Sequence, residues 1–337
     1  MSSLTNNSSL NNKDSLNNKS SAKITLLAGG VGGAKAAEGL NASRYRDGLS
    51  IIGNIGDDQA FHGLWVSPDI DTLTYSLGDR INREQGWGLA GDTCQVLNGL
   101  QQLGVDTWMQ LGDLDFATHI YRTERRQRGE RPQQIAEDIA VANGVNVSLI
   151  LPTDDVVATR LRTQDGWLSF QDYFVRLRCA PDVLEVEYHN AEQAKANPEA
   201  LAALTQADLI IIAPSNPILS IGAILAIDDL RTQLKARTVP AIAISPLIGG
   251  QAVKGPAEKI MTSLGMRADA LGIAHYYQGL IDTLVIDSCD QHLQADIEAL
   301  GIQVHVTNIW MKTPQDKERL MSEVAELALQ TTVGELG

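Results

Sequence analysis

Five aspartates lie in the stretch NIGDDQAFHGLWVSPDIDTLTYSLGD, residues 54–79. Carboxylates at this density repel one another unless a cation, a proton or a set of donors sits between them. Asp57 and Asp58 follow the aliphatic run LSIIGN, which places them just past the end of a short strand. Asp69 and Asp71 stand in Ser67-Pro68-Asp69-Ile70-Asp71, where a helical pattern opens. Oxygen ligands of this kind suit Mg²⁺, which takes one or two carboxylates and completes its shell with substrate phosphates. Asp57 and Asp58 are therefore candidate metal ligands. Asp69 and Asp71 are candidates for further ligands or for gripping a hydroxyl nucleophile, and as plainly for capping the helix that begins near Thr72.

A cation among carboxylates implies an anionic ligand, and three other segments suit one. Gly29-Gly30-Val31-Gly32-Gly33-Ala34-Lys35 follows the run KITLLA and opens a helix. Its bare backbone would admit a phosphate to the N–H groups, with the helix dipole and Lys35 favouring the negative charge. It is neither a Walker A sequence nor G-x-G-x-x-G, because Lys35 stands where the last glycine would be. A tight turn with close helix packing is the structural alternative. Pro214-Ser215-Asn216-Pro217 follows the most apolar run, ADLIIIA, and reads either as a nucleotide contact or as a capped turn. Ser245-Pro246, Gly249-Gly250 and Lys254-Gly255-Pro256 repeat the theme with a basic residue.

These segments need a scaffold that brings them to one edge. Aliphatic runs alternate with amphipathic segments from Lys23 onward: ADLIIIAPSNP before ILAIDDLRTQLKA, VPAIAISPLIGG before PAEKIMTSLG, DTLVIDS before LQADIEALG, and IQVHVTNIWM before PQDKERLMSEVAELALQ. Continuous apolar strands separated by helices predict an α/β, Rossmann-like, doubly wound and mainly parallel sheet. In such sheets ligands bind beyond the carboxyl ends of the strands, where all the candidate loops fall. Between about 110 and 190 the pattern changes: VVATRLRT and WLSFQDYFVRLR read as period-2 strands about a tight turn, and VLEVEYH as a third. The expected organisation is one domain over 23–337 with a smaller antiparallel and helical insertion at about 110–190. Residues 1–22 repeat SLNNK in an Asn/Ser-rich tract with almost no apolar content, and are expected to be a disordered tail.

A net charge of −14 argues against nucleic acid and anionic membranes as partners. Cys94, Cys179 and Cys289 are odd in number and form no Cys-x-x-Cys pair, so neither a disulfide framework nor a zinc site is expected. No apolar run reaches the length of a membrane span and no signal peptide is evident, so the expected location is cytoplasmic.

The segments LLAGGVGGAKAAEGL, NIGDDQAFHGLWVSPDIDTLTYSLGD, GWGLAGDT, LGDLDFATHIYRT, LPTDDVVATRLRT, FQDYFVRLR, APSNPILSIGAILAI and SPLIGGQAVKGPAEK, in this order, resemble the 2-phospho-L-lactate transferases of coenzyme F420 biosynthesis. The resemblance spans Lys23 to about Asp290. It implies a Rossmann-like core and transfer of a phospho-acid from its guanosine diphosphate ester to the ribityl hydroxyl of the deazaflavin Fo, with Mg²⁺ assistance and release of GMP. The acid would be phospholactate, phosphoenolpyruvate or phosphoglycerate. By the same resemblance the nucleotide side comprises Gly29, Gly30, Gly32, Gly33, Lys35, Ser215, Asn216, Pro217, Ser245, Gly249 and Lys254. The metal and acceptor side comprises Asp57, Asp58, Asp69 and Asp71, and Trp87, Asp92, Thr93, Asp113 and His119 would line the deazaflavin pocket. Leu114 departs from the arginine common in relatives. A homodimer is also implied.

In such a reaction Asp69 would orient the hydroxyl and take its proton, with His119 an alternative base or a hydrogen-bonded structural residue. A nucleotide- or nucleotide-sugar-binding regulator of the group tied to gluconeogenic growth and cell-wall control shares the glycine loop and Asp-Asp segment, but would not need SPDIDT, GWG or FQDYFVR. An NAD-dependent dehydrogenase is disfavoured by the missing third glycine.

Overall fold

The computed structural model describes residues 22–334; the tract expected to be a disordered tail lies, apart from Ala22, outside them. Seven parallel strands form the central sheet: β1 (Ile24–Ala28), β2 (Leu49–Gly53), β3 (Ser148–Ile150), β4 (Leu209–Ile212), β5 (Ala241–Ile244), β6 (Thr283–Asp287) and β7 (Gln303–Thr307). Their order is β7-β6-β5-β4-β1-β2-β3. The chain thus winds outward from β1 in one direction through β2 and β3, then returns to β1's other side and winds the opposite way. The crevice between β1 and β4 is the point where the direction reverses, the usual ligand position in doubly wound sheets.

Burial explains why these runs became strands. In β4 all four residues are buried, with Ile210 and Ile212 facing one core and Leu209 and Ile211 the other. β1 does the same, Leu27 on one face and Ile24, Leu26 and Ala28 on the other. Successive side chains point to opposite faces, so only a sheet covered by helices on both sides accepts such sequences. Register is fixed across the switch point by Leu26 opposite Ile51 on one side and Ile211 on the other.

Helix α1 (Gly30–Ala42) packs against α2 (Pro68–Leu77) and, on its other flank, against the helix Pro314–Gly334. The glycine segment expected to form a loop is mostly helix: only Gly29 precedes α1, and Gly30 through Lys35 form its first turn and a half. Between 110 and 190 the chain forms α3 (Asp113–Gln127) and the helix Pro132–Ala142, returns β3 to the main sheet, and then builds a separate antiparallel sheet from Ala158–Thr163, Gly166–Ser169 and Glu185–His189. The FQDYFVRLR segment expected to continue its second strand instead turns into a π-helical stretch, Asp172–Arg176. Ser169 stops the strand: its Oγ donates to the Asp172 carboxylate at 2.6 Å and accepts from the Asp172 N–H at 3.1 Å, a local bond set that competes with the ladder. Among the described residues no helix is long and apolar enough to cross a membrane.

Candidate active site

A cavity of about 440 Å³ opens at the β1/β4 switch point. Its floor is the N-terminus of α1. Gly29 leaves β1 and is gripped by Ser215, whose Oγ accepts from the Gly29 N–H at 3.1 Å and donates to the Gly29 carbonyl at 2.8 Å. The fit admits no side chain: a Cβ on Gly29 would stand 2.7 Å from the Asp69 carboxylate and 2.6 Å from Ser220. A Cβ on Gly32 would stand 2.1 Å from the Pro214 carbonyl. The loops after β1 and β4 are therefore locked together, and the start of α1, whose first N–H groups have no partner within the helix, lines the cavity. Asn216 caps the next turn, accepting from Ile218 and Leu219 N–H.

Two of the four candidate acids reach the cavity. Asp57, past the end of β2, and Asp69, in the first turn of α2, both line it beside Gly29 and Gly30. Burial raises the proton affinity of both, and their mutual repulsion raises that of Asp57 further. Asp69 is partly compensated by the Asn54 side-chain amide, which donates to its Oδ2 at 2.9 Å, and by the Gly30 backbone. Asp57 keeps a buried Oδ1 with no hydrogen-bond partner, and among the described residues neither acid forms an ion pair.

The other two acids point elsewhere. Asp58 turns away from the cavity, accepting from Trp65 Nε1 at 3.1 Å and Ser67 Oγ at 2.7 Å, and burial pushes it up to about 7. Asp71 is buried against Arg122 in a two-pronged ion pair, Nη1 to Oδ2 at 3.1 Å and Nη2 to Oδ1. Neither Asp69 nor Asp71 caps α2; Pro68 opens the helix and both sit inside it.

The acceptor-side candidates separate in the same way. Trp87 lines the cavity. Asp92 accepts from the Leu114 and Asp115 N–H groups at the start of α3, and Asp113 accepts from Thr93 Oγ1 and the Gln95 and Val96 N–H groups. These three residues tie loops to helix starts and do not line the cavity. His119 is buried beside Asp71 and Arg122, and burial depresses its proton affinity to about 4. Of the nucleotide-side candidates, Gly29, Gly30, Gly32, Lys35, Ser215, Asn216, Ser245 and Lys254 line the cavity. Gly33, Pro217 and Gly249 do not: Gly33 packs α1 against Ala28 and Ser215, Pro217 is buried in the following turn, and the Gly249 N–H bonds Asp290 at 3.0 Å.

Several lining residues carried no individual sequence signal. Phe170 and Phe174 stack at 5.3 Å and 15°, forming a flat apolar wall with Val175 and Met109. Their spacing of four puts them on one face of either a strand or a helix, so the pairing was readable though its target was not. Gln171 between them donates to the Asp57 carbonyl at 3.1 Å and couples this wall to the acidic loop. Ile309 and Met311, past β7, also line the cavity. Lys35 is half-buried, forms no ion pair among the described residues, and has its ammonium disfavoured by burial and by Lys317 and Lys254 nearby. The cavity thus combines apolar and aromatic side chains, a glycine-rich helix start with two lysines, and two carboxylates.

Comparison with known proteins adds three findings. Residues 24–322 match the family described as 2-phospho-L-lactate transferase CofD. The chain is 38% identical to a phosphoenolpyruvate transferase of Kitasatospora aureofaciens, covering 93% of this chain and 99% of that one, and 37% identical to the 2-phospho-L-lactate transferase of Methanocaldococcus jannaschii, covering 90% and 97%. A Bacillus halodurans protein of known structure shares the fold at a TM-score of 0.61 and 13% identity, over 91% of this chain and all of that one.

Proposed function

Because this chain belongs to the 2-phospho-L-lactate transferase family and is a transferase of coenzyme F420 biosynthesis, we propose that it moves a phospho-acid from its guanosine diphosphate ester to the ribityl hydroxyl of Fo. The observation that carries this reading is the placement of Asp57 and Asp69 in one cavity with the N-terminus of α1. The glycine-rich helix start, with Ser215, Asn216 and Ser245, suits the guanosine diphosphate, and Lys35 and Lys254 supply positive charge in a protein of net charge −14. The stacked Phe170 and Phe174, with Trp87 also lining the cavity, suit a fused planar ring.

The ribityl oxygen attacks the phosphorus that bears the acid. The new P–O bond forms as the P–O bond to GMP breaks, and the hydroxyl proton passes to the Asp69 carboxylate. Asp69 suits this role because burial raises its proton affinity towards neutrality while the Asn54 amide and Gly30 backbone hold it in place. In phosphoryl transfer, positioning and neutralisation of charge do most of the work.

The residues present fit a divalent cation: the Asp57 Oδ1 is a buried acceptor without a donor, next to a second carboxylate with no ion pair. Among the described residues no three His, Cys, Asp or Glu group to hold a metal by themselves, so a cation here would need substrate phosphates to complete its shell. Asp57 would hold Mg²⁺, whose chemistry there is neutralisation of the diphosphate. Asp58, bonded to Trp65 and Ser67, would support the loop from behind.

A homodimer is the assembly we propose by family, to be read as a two-chain mass in light scattering. The chain is nearly as similar to a relative named for phosphoenolpyruvate as to one named for phospholactate, so identity does not choose the acid. The binding half of the proposal is tested by titrating Fo fluorescence against the protein. Saturable micromolar binding that survives GDP is expected; absence of Fo binding with and without GDP and Mg²⁺ would overturn it.

A further inference from the structure

Asn54 is neither a candidate ligand nor a candidate catalyst, yet it ties together the end of β1, the turn before Asp57 and the Asp69 carboxylate. It is the residue immediately after β2 and is wholly buried. Its backbone N–H donates to the Ala28 carbonyl at 2.9 Å, which carries the β1–β2 pairing one step beyond the strands to where both chains enter the cavity. Its side-chain Oδ1 accepts from the Gly56 N–H at 2.8 Å, shaping the turn that presents Asp57. Its Nδ2 donates to Asp69 Oδ2 at 2.9 Å, and the same amide is a hydrogen-bond partner of Asp57. Its Cβ lies only 3.0 Å from where a Cβ on Gly29 would stand.

The chemistry of the amide matters as much as its place. Two neighbouring buried carboxylates need a donor, and the described residues offer them no Lys, Arg or His within ion-pair distance. A cation at position 54 would satisfy the acids but neutralise them and compete with a metal. A third acid would add repulsion. A neutral amide offers two N–H donors on one side and an acceptor on the other, so it can bond the acids and shape the turn before Asp57 without adding a charge of its own.

We propose that Asn54 is a positioning residue that holds Asp57 and Asp69 as an oriented pair for the cation and the acceptor hydroxyl. This rests on the assignment of Mg²⁺ to Asp57 and of the base to Asp69.

The test uses Asn54→Ser and Asn54→Asp in the full chain. Serine can still accept from the Gly56 N–H two residues on but cannot reach across to the carboxylates. Aspartate keeps the size and the acceptor while removing the donor. For each variant, kcat, the Mg²⁺ midpoint, GDP affinity without metal, and the rise in unfolding temperature that Mg²⁺ gives in the presence of GDP are measured. The expected result for Asn54→Ser is a Mg²⁺ midpoint raised and kcat lowered by roughly tenfold or more each, as for loss of a hydrogen bond to a charged group. The Mg²⁺-dependent rise in unfolding temperature shrinks, and GDP affinity stays within about twofold. In Asn54→Asp, kcat falls at least as far while the fold is retained. A purely structural residue would lower the unfolding temperature and leave kcat of the folded protein and the Mg²⁺ midpoint unchanged, and that result in either variant would overturn the proposal. If the parent protein itself shows no Mg²⁺ dependence, the underlying assignment fails rather than the role of Asn54.

Discussion

At the scale of single residues, four aspartates with the same sequence credentials have four different surroundings. Asp57 and Asp69 line the cavity, Asp58 is bonded to Trp65 and Ser67, and Asp71 is spent on Arg122. The density of acids was visible in the sequence; their division was not, because Arg122 lies fifty-one positions from Asp71 and nothing local announces the pair. The distinction is measurable. Asp69→Asn should lower kcat by about 10²–10⁴, the usual contribution of a proton-accepting side chain, with GDP affinity little changed. A variant retaining near-normal kcat would remove Asp69 from the chemistry. Asp57→Asn should raise the Mg²⁺ midpoint and leave Fo affinity alone. Asp71→Asn should instead act on stability, because it strands the buried Arg122 guanidinium at a cost of about 3–5 kcal/mol. An Asp71→Asn protein that unfolds at the parent temperature would contradict the pair's structural role.

At the scale of elements, strand positions were legible because β1, β4, β5 and β6 are apolar on both faces, a pattern only a covered parallel sheet tolerates. The glycine segment reads in sequence as a candidate phosphate loop, and its helical character was hidden: glycines weaken a helix by propensity, and here contact with Pro214 and Ser215 overrides it. The turn of FQDYFVRLR away from a strand depended on Ser169 and Asp172 bonding to each other, a choice that periodicity does not reveal. That turn delivers Phe174 to the cavity, so Phe174→Ala should weaken Fo binding by about tenfold, the loss of one ring contact, while GDP binding is unaffected. Equal Fo affinity in the variant would place the deazaflavin elsewhere. Gly32→Ala should separate the β1 and β4 loops and weaken GDP binding together with stability, because its Cβ has no room against the Pro214 carbonyl.

For the whole molecule, buried acids leave a mark on stability against pH. Burial raises Asp58 to about 7 and Asp115 to about 6, so the folded chain holds protons that the unfolded chain releases above about pH 4. Stability therefore falls as pH rises through that window to about 7. His119, depressed to about 4, works the opposite way, but only below its unfolded value near 6.5. Above that the acids act alone, and the metal-free protein should unfold a few degrees lower at pH 8 than at pH 6, with the slope reduced in Asp58→Asn. A flat profile would show that these acids are not held protonated. The net charge of −14 was legible as an argument against nucleic acid as a partner; that Lys35 and Lys254 would be the basic side chains lining the cavity was not legible from charge alone.

The central claim, that this cavity joins a phospho-acid to a deazaflavin hydroxyl, is tested most directly by turnover. The purified protein is incubated with Fo, Mg²⁺ and, in turn, the guanosine diphosphate esters of phospholactate, phosphoenolpyruvate and phosphoglycerate. Fluorescent products and GMP are then quantified by ion-exchange chromatography. The account predicts that with at least one donor Fo is converted to a more anionic fluorescent product, with one GMP released per Fo consumed, and that Asp69→Asn slows both by about 10²–10⁴. Unchanged Fo with all three donors, from folded protein that binds GDP, would contradict it.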